Sequence, residues 1–165
     1  ITMERFDLTE LIRGVINSSA ILLNQNEITL DFTQQEPLYA WADEFKVEEV
    51  VTNYLSNAIH HAEGEKRIDI SCVQKGDKVR VSVFNTGNPI PEEDVDNIWI
   101  KFYKVDKART REYGGSGIGL SIVRAIMDSF HRKCGVINHA DGVEFWFELE
   151  TNNGNFSVDT SYQKC

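Results

Sequence analysis

Apolar positions along the chain change period several times, and those changes outline its elements. Leu8, Leu11, Ile12, Val15 and Ile16 recur at helical spacing, and Asp7 or Thr9 can cap a helix running to about Leu23. Two short strands are predicted next: 28–32, where Ile28, Leu30 and Phe32 alternate with polar residues, and 38–42. Asp43 opens a second helix reaching about Ala62. Ile68, Ile70 and Cys72 then alternate with polar residues, as do Val79, Val81 and Val83, and Lys75-Gly76-Asp77-Lys78 between them predicts a hairpin. Pro89 and Pro91 break the chain before a short helical stretch at 92–99. The basic, glycine-rich segment that follows has no core periodicity and reads as a loop up to Gly115. A third helix spans about 116–130, and two last strands, 135–138 and 143–149, turn at Asp141-Gly142. The polar segment 151–165 is expected to be a flexible tail.

Three main helices and five or six mostly hairpin-linked strands define an α+β class. The expected form is a two-layer sandwich, a mixed sheet of about five strands covered by about three helices. With 165 residues and 41% hydrophobic content, the chain is expected to form one domain over 1–150. Its apolar stretches fall short of the roughly 20 residues of a membrane helix, and 1–5 lack the pattern of a signal peptide. The chain is therefore expected to be soluble as it stands.

A net charge of −9 argues against a nucleic-acid partner, which would call for a basic surface. Cys72, Cys134 and Cys165 show no close metal-type spacing and suit reduced thiols in a reducing compartment. One stretch runs against the acidic balance. Lys101, Lys104, Lys107, Arg109 and Arg111 face only Asp106 between 101 and 111, which implies an anionic ligand nearby or simply a solvated loop.

Three segments carry candidate chemistry. On the second helix, Val47, Val51, Tyr54, Leu55, Ala58 and Ala62 share one face, while Glu49, Asn53, Asn57 and His60 form a stripe opposite. Asn is a mediocre helix former, but its carbonyl can ligate a hard cation such as Mg²⁺; an ordinary polar face is the plain alternative. Gly114-Gly115-Ser116-Gly117-Ile118-Gly119-Leu120 leads into the third helix, where glycines and a helix N-terminus can approach a phosphate, or the segment is a simple flexible loop. Asn85-Thr86-Gly87-Asn88-Pro89-Ile90-Pro91 ends a strand and can aim a hydrogen-bonding group at a base, or be only a turn.

Taken in order, these segments resemble the motifs of bacterial sensor histidine kinase catalytic domains. Asn53-Tyr54-Leu55-Ser56-Asn57-Ala58-Ile59 resembles the N box and 85–91 the first glycine box. Ile98-Trp99-Ile100-Lys101-Phe102-Tyr103-Lys104-Val105-Asp106 resembles the F box, and 115–121 the second glycine box. The resemblance covers about 6–150 and implies the Bergerat ATP-binding sandwich, with a mobile lid between the F box and the second glycine box. It implies ATP and Mg²⁺ as cofactors. Asn57 would be the Mg²⁺ ligand, with Asn53 beside the phosphates. Asn85 would meet the adenine amine, Gly87 would make room for the base and Ile90 would line its pocket. Phe102 and Tyr103 would anchor the lid and Lys104 would reach the terminal phosphate. Gly115, Ser116, Gly117, Ile118, Gly119 and Leu120 would wrap the phosphates. His60 and His61 stand where Lys and Tyr are common in the family, so a phosphate contact there would be pH-sensitive; the plain alternative is that both are surface residues.

The chain departs from the family pattern at Asn85, where Asp is usual, at Pro89 in place of a glycine, and at Ile100 in place of an acid. The related ATPases carry a Glu at the position of Asn53; a neutral amide cannot act as general base, and Glu49 is a turn away, so hydrolysis of ATP by water is disfavoured. Asn53 and Lys104 are the expected catalytic positions for phosphoryl transfer. None of His60, His61, His131 and His139 lies in a context like the family's phosphoacceptor box. The resemblance therefore implies an acceptor on upstream dimerisation helices joined through 1–7, a downstream response regulator, a cytoplasmic domain of a membrane-anchored sensor, and a monomeric isolated domain. Two other readings remain open: a nucleotide-sensing scaffold without catalysis, and a serine kinase of the anti-sigma-factor type.

Overall fold

The computed structural model describes residues 1–103 and 119–152. Among the described residues, four helices cover one face of a seven-stranded sheet. The elements are β1 (Glu4–Asp7), α1 (Leu8–Ser18), α2 (Ala20–Gln25), β2 (Thr29–Asp31), β3 (Tyr39–Ala42) and α3 (Glu44–His61). After them come β4 (Arg67–Lys75), β5 (Lys78–Thr86), a 3-10 turn (Glu92–Asp94), α4 (Gly119–Ser129), β6 (Cys134–His139) and β7 (Gly142–Glu150). The sheet order is β1-β3-β7-β5-β4-β2, with β6 also pairing β7. All pairs are antiparallel except β2 with β4, so the sheet is mixed, as expected.

Two differences from the sequence reading concern the N-terminal third. Residues 4–7, expected to belong to a linker, form an edge strand against β3 in the register Phe6↔Ala40. The first helix breaks at Ser19, which divides it into α1 and α2. Asp7 is the cap, its carboxylate accepting from the Glu10 N–H. The last hairpin turns one residue earlier than expected, at Ala140-Asp141, because His139 pairs with Gly142.

Period-2 alternation decides which strand residues enter the core. Val79, Val81 and Val83 of β5 and Val143, Phe145, Phe147 and Leu149 of β7 are buried, and they meet Leu8, Ile12 and Val15 of α1, Val47, Val51 and Leu55 of α3, and Val123 and Met127 of α4. Tyr54 lies at the centre, fully buried, with its ring 5.4 Å from that of Phe145 and its hydroxyl donating to the Trp146 carbonyl at 2.9 Å. The opposite face of the sheet is open. There Arg80 stacks 3.8 Å over the Trp146 ring and pairs with Glu148.

No helix among the described residues is long and apolar enough to cross a membrane. Cys72 is a free thiol, as expected, half-buried in β4.

Candidate nucleotide site

Helix α3 supplies the first wall of the site. Its buried face is the one read from the sequence: Val47, Val51, Tyr54, Leu55, Ala58 and Ala62 are all buried. The polar stripe is not fully solvated, since Asn53, Asn57 and His60 are each half-buried. Asn53 donates its side-chain N–H to the Glu49 carbonyl at 2.9 Å. Its oxygen meets the start of α4, where a Cβ added to Gly119 would lie 2.9 Å from Asn53 Oδ1. The last glycine of the second glycine box is thus packed against the N box, and a side chain there would require the Asn53 amide to move. Asn57, one turn further along, makes no hydrogen bond with its side chain among the described residues. Glu49 lies at the surface beside Lys46, 3.7 Å away.

Strand β5 supplies the second wall. Asn85 continues the inward phase of Val79, Val81 and Val83, pairing with Ile68 on one side and Val143 on the other. It is 2% exposed. Its amide N–H₂ donates to the Thr86 carbonyl at 3.1 Å, and its oxygen has no partner among the described residues. A buried acceptor left unsatisfied costs about 1–3 kcal/mol, so a donor from a bound molecule is the natural completion. The Thr86 carbonyl also accepts from the Glu63 N–H at 2.9 Å, tying the end of β5 to the exit of α3. Gly87 follows with φ +147°, and a Cβ there would come within 2.8 Å of the His61 carbonyl.

The loop after β5 is held by the β6–β7 hairpin. The Gly87 N–H donates to the Asp141 carbonyl at 3.0 Å. Asn138 Oδ1 accepts from the Ile90 N–H at 2.9 Å, while its N–H₂ donates to the Ile90 carbonyl at 2.8 Å. Ile90 itself packs partly buried against the core. A crevice of about 410 Å³ lies on the flank of Gly87 and is rimmed by Glu63, Glu65 and Asp141. Three carboxylates repel a triphosphate, so this crevice is not where phosphates would sit.

The segment 98–103 precedes the residues expected to form the lid. Trp99 and Ile98 are buried, with the Trp99 ring edge-on to Phe145 at 5.9 Å. Phe102, expected as an anchor, is 65% exposed and has a left-handed φ of 66°, with Lys101 over its ring. Tyr103 is half-buried and gives its hydroxyl hydrogen to the Asp94 carboxylate, which raises the tyrosine pKa above its ordinary value. Lys104, Gly115, Ser116, Gly117 and Ile118 lie outside the described residues, whereas Gly119 and Leu120 open α4, half-buried. His60 has its pKa lowered by desolvation, and His61 is exposed.

No signal in the sequence marked Asn138: it lay inside a predicted strand with ordinary neighbours. Asn85 carried a stronger signal than its motif alone, being a polar residue in the inward phase of a strand.

The helix α3 stripe, the buried acceptor at the end of β5 and the closely packed glycines lie together at one side of the sheet, and comparison with known proteins identifies the family. The model of the histidine kinase-, DNA gyrase B- and HSP90-like ATPases matches residues 42–153, and the chain belongs to this family. Within it, the similarity is to histidine kinases. The chain is 33% identical over 131 residues to the sensor protein kinase WalK of Staphylococcus epidermidis, a match covering 78% of this chain and 21% of that protein. The nucleotide-free catalytic domain of histidine kinase ThkA superposes with a TM-score of 0.81 at 34% identity, covering 92% of this chain and 97% of that one. A structure of ThkA in complex with response regulator protein TrrA superposes with a TM-score of 0.75 at 31% identity, over 91% of this chain and 42% of that one. The fold is that of the histidine kinase catalytic ATPase domain.

Proposed function

We propose that the chain binds MgATP and hands its γ-phosphate to a histidine on dimerisation helices of the same sensor kinase, from which a response regulator would take it. The observation that carries the nucleotide reading is Asn85: a side-chain oxygen buried and unpartnered at the end of a core strand, in a chain of this ATPase family. The exocyclic amine of adenine supplies the missing donor. Gly87 keeps the neighbouring backbone free of side chain, and Ile90 offers an apolar surface to the base.

The donor set also suits a Mg²⁺ ion. Asn57 presents a neutral amide oxygen with no competing partner, and no cluster of three or more His, Cys, Asp or Glu exists among the described residues. Mg²⁺ commonly takes one or two protein oxygens and completes its shell with phosphates and water. When bound, the ion would neutralise phosphate charge. Asn53, fixed by its bond to Glu49 and its contact with Gly119, would hold the phosphate end in register. Phosphoryl transfer relies mainly on such positioning and neutralisation. Asn53 cannot take a proton from water, which favours transfer to a histidine over hydrolysis. Lys104 is proposed as the cation at the terminal phosphate. The acceptor helices, the regulator, and a cytoplasmic placement below a membrane anchor belong to this proposal; the relatives named as sensor kinases and the ThkA–TrrA complex support them.

The test is a titration with a non-hydrolysable ATP analogue, with and without Mg²⁺, beside Asn57→Ala. Binding near ~1 μM, about −8 kcal/mol, is expected, weakened by loss of either metal or Asn57. Mixing with a separately made acceptor domain should then yield acid-labile phosphohistidine. Acid-stable phosphoserine on a partner would favour the anti-sigma-type reading, and absence of any nucleotide binding the scaffold reading, to which Asn85, Pro89 and Ile100 lend weight.

A further inference from the structure

We infer that Asn138, which belongs to none of the four motifs, is a positioning residue for the purine pocket. The inference rests on the nucleotide-binding reading above. One side-chain amide here closes both hydrogen bonds of a β-bridge to a single residue 48 positions away: Ile90 N–H to Oδ1 at 2.9 Å, and Nδ2–H to the Ile90 carbonyl at 2.8 Å.

The loop needs such a device. After Thr86 the chain leaves the sheet, and 88–91 have no strand partner. Pro89 and Pro91 have no N–H to donate, so Ile90 offers the single backbone donor between residues 89 and 91. Apart from the Gly87–Asp141 bond, no backbone–backbone bond ties 87–90 to the rest of the described residues. Asn138 can reach Ile90 because of its register. It pairs with Val143 in β7 and lies on the same face of the sheet as Cys134 and Val136, but at the exposed end of β6, whereas His139 beside it turns to the other face toward Glu144. With the backbone of Ile90 fixed from β6 and its side chain packed on the core, the apolar wall offered to the base is held in one place before any ligand arrives. Pre-organisation of this kind lowers the ordering cost of binding.

Only a side-chain amide supplies a donor and an acceptor in one plane at this length. Alanine removes both; aspartate keeps the acceptor for the Ile90 N–H but has no hydrogen for the Ile90 carbonyl.

The experiment uses the 165-residue chain with Asn138→Ala, Asn138→Asp and, as a neighbour on the outward face, His139→Ala. Two quantities are read: hydrogen exchange at the Ile90 amide without nucleotide, and the Kd for a non-hydrolysable ATP analogue with Mg²⁺. In Asn138→Ala the Ile90 amide should exchange at least about tenfold faster and the Kd should rise about five- to tenfold, with core amides still protected. Asn138→Asp should also raise the Kd, and His139→Ala should leave both readings unchanged. An Ile90 amide no faster in Asn138→Ala would overturn the bridge. Faster exchange with an unchanged Kd, or an equal rise in His139→Ala, would overturn the positioning role. If the unsubstituted chain binds no analogue, the nucleotide reading itself fails and this inference falls with it; binding that survives Asn138→Ala undiminished sinks the inference alone.

Discussion

The side-chain amide of Asn85 donates to the carbonyl of Thr86, 3.1 Å away, and this bond decides which end of the amide is left over. The Thr86 carbonyl already accepts from Glu63, so reversing the amide would set two oxygens face to face. Asn85 therefore presents an acceptor, as the Asp usual at this position in the family would, although it carries no charge. The position should read a purine amine and reject a purine carbonyl. An ATP analogue is expected to bind at least about tenfold more tightly than the matching GTP analogue. Asn85→Asp should tighten ATP binding several-fold, because a hydrogen bond to a charged acceptor is stronger. Equal affinity for the two analogues would show that the amide turns freely.

Gly87 should tolerate no side chain. Its φ of +147° is a conformation other residues rarely adopt, and a Cβ would press on the His61 carbonyl at 2.8 Å. Gly87→Ala is expected to cost about 1–3 kcal/mol of stability and to weaken analogue binding, since the junction between α3 and β5 must open. Chemical denaturation and titration of the same sample separate the two effects; a stability loss without a binding loss would confine Gly87 to the fold.

These two residues show what the sequence carried and what it did not. The inward alternation of β5 and the apolar face of α3 follow from period alone, because burial on one face forces it. Asn85, Gly87, Asn53 and Gly119 were legible as motif positions, but the contacts each makes were not. Less was legible where the deciding contact is distant in sequence. Residues 4–7 become a strand only because β3, more than thirty positions on, offers an edge. Phe102, expected to anchor the lid, is exposed, while the buried side chains of this segment are Ile98 and Trp99, the latter against Phe145. Asn138 has no local pattern at all, and its importance exists only through Ile90.

Asp43 joins two segments through one carboxylate. It caps α3 by accepting from the Lys46 N–H at 3.3 Å, and it accepts from the Thr2 N–H at 2.9 Å. The bond from Thr2 is the main reason its pKa is held below the ordinary carboxylate value. A depressed folded-state pKa stabilises the fold above about pH 4, the unfolded value, and this is lost as pH falls through the folded value. Asp43→Ala should therefore cost about 1–2 kcal/mol at pH 7, and the gap to the unsubstituted chain should narrow below about pH 4. Urea unfolding at pH 7 and pH 3.5 measures both; an identical gap at the two values would deny the carboxylate its role.

Cys72 should be chemically quiet. Desolvation pushes its thiol pKa up to about 12, so almost no thiolate exists at pH 8, and the thiolate is the nucleophile. Labelling of Cys72 by an aromatic disulfide reagent at pH 8 should be slow in the folded protein and at least about a hundredfold faster in denaturing urea. Rapid labelling of the folded chain would show the thiol to be open to solvent.

His60 gives the site a pH response whose sign can be stated. It is half-buried, and desolvation lowers its pKa below 6.5, so it is neutral at pH 7 and charges only in acid. The unfolded chain protonates first, hence this residue favours the folded state above pH 6.5 and costs stability as pH falls below it. A bound triphosphate works in the opposite direction, since an imidazolium beside it is favoured. With His60 against the phosphates, affinity for the ATP analogue should be flat between about pH 7 and 8.5 and should tighten only below about 6.5. The tightening should vanish in His60→Gln. Calorimetric titrations at four or five pH values settle it: a step near pH 7.5 that survives His60→Gln belongs to another group, and a flat profile down to about pH 5.5 removes His60 from the phosphate end of the site.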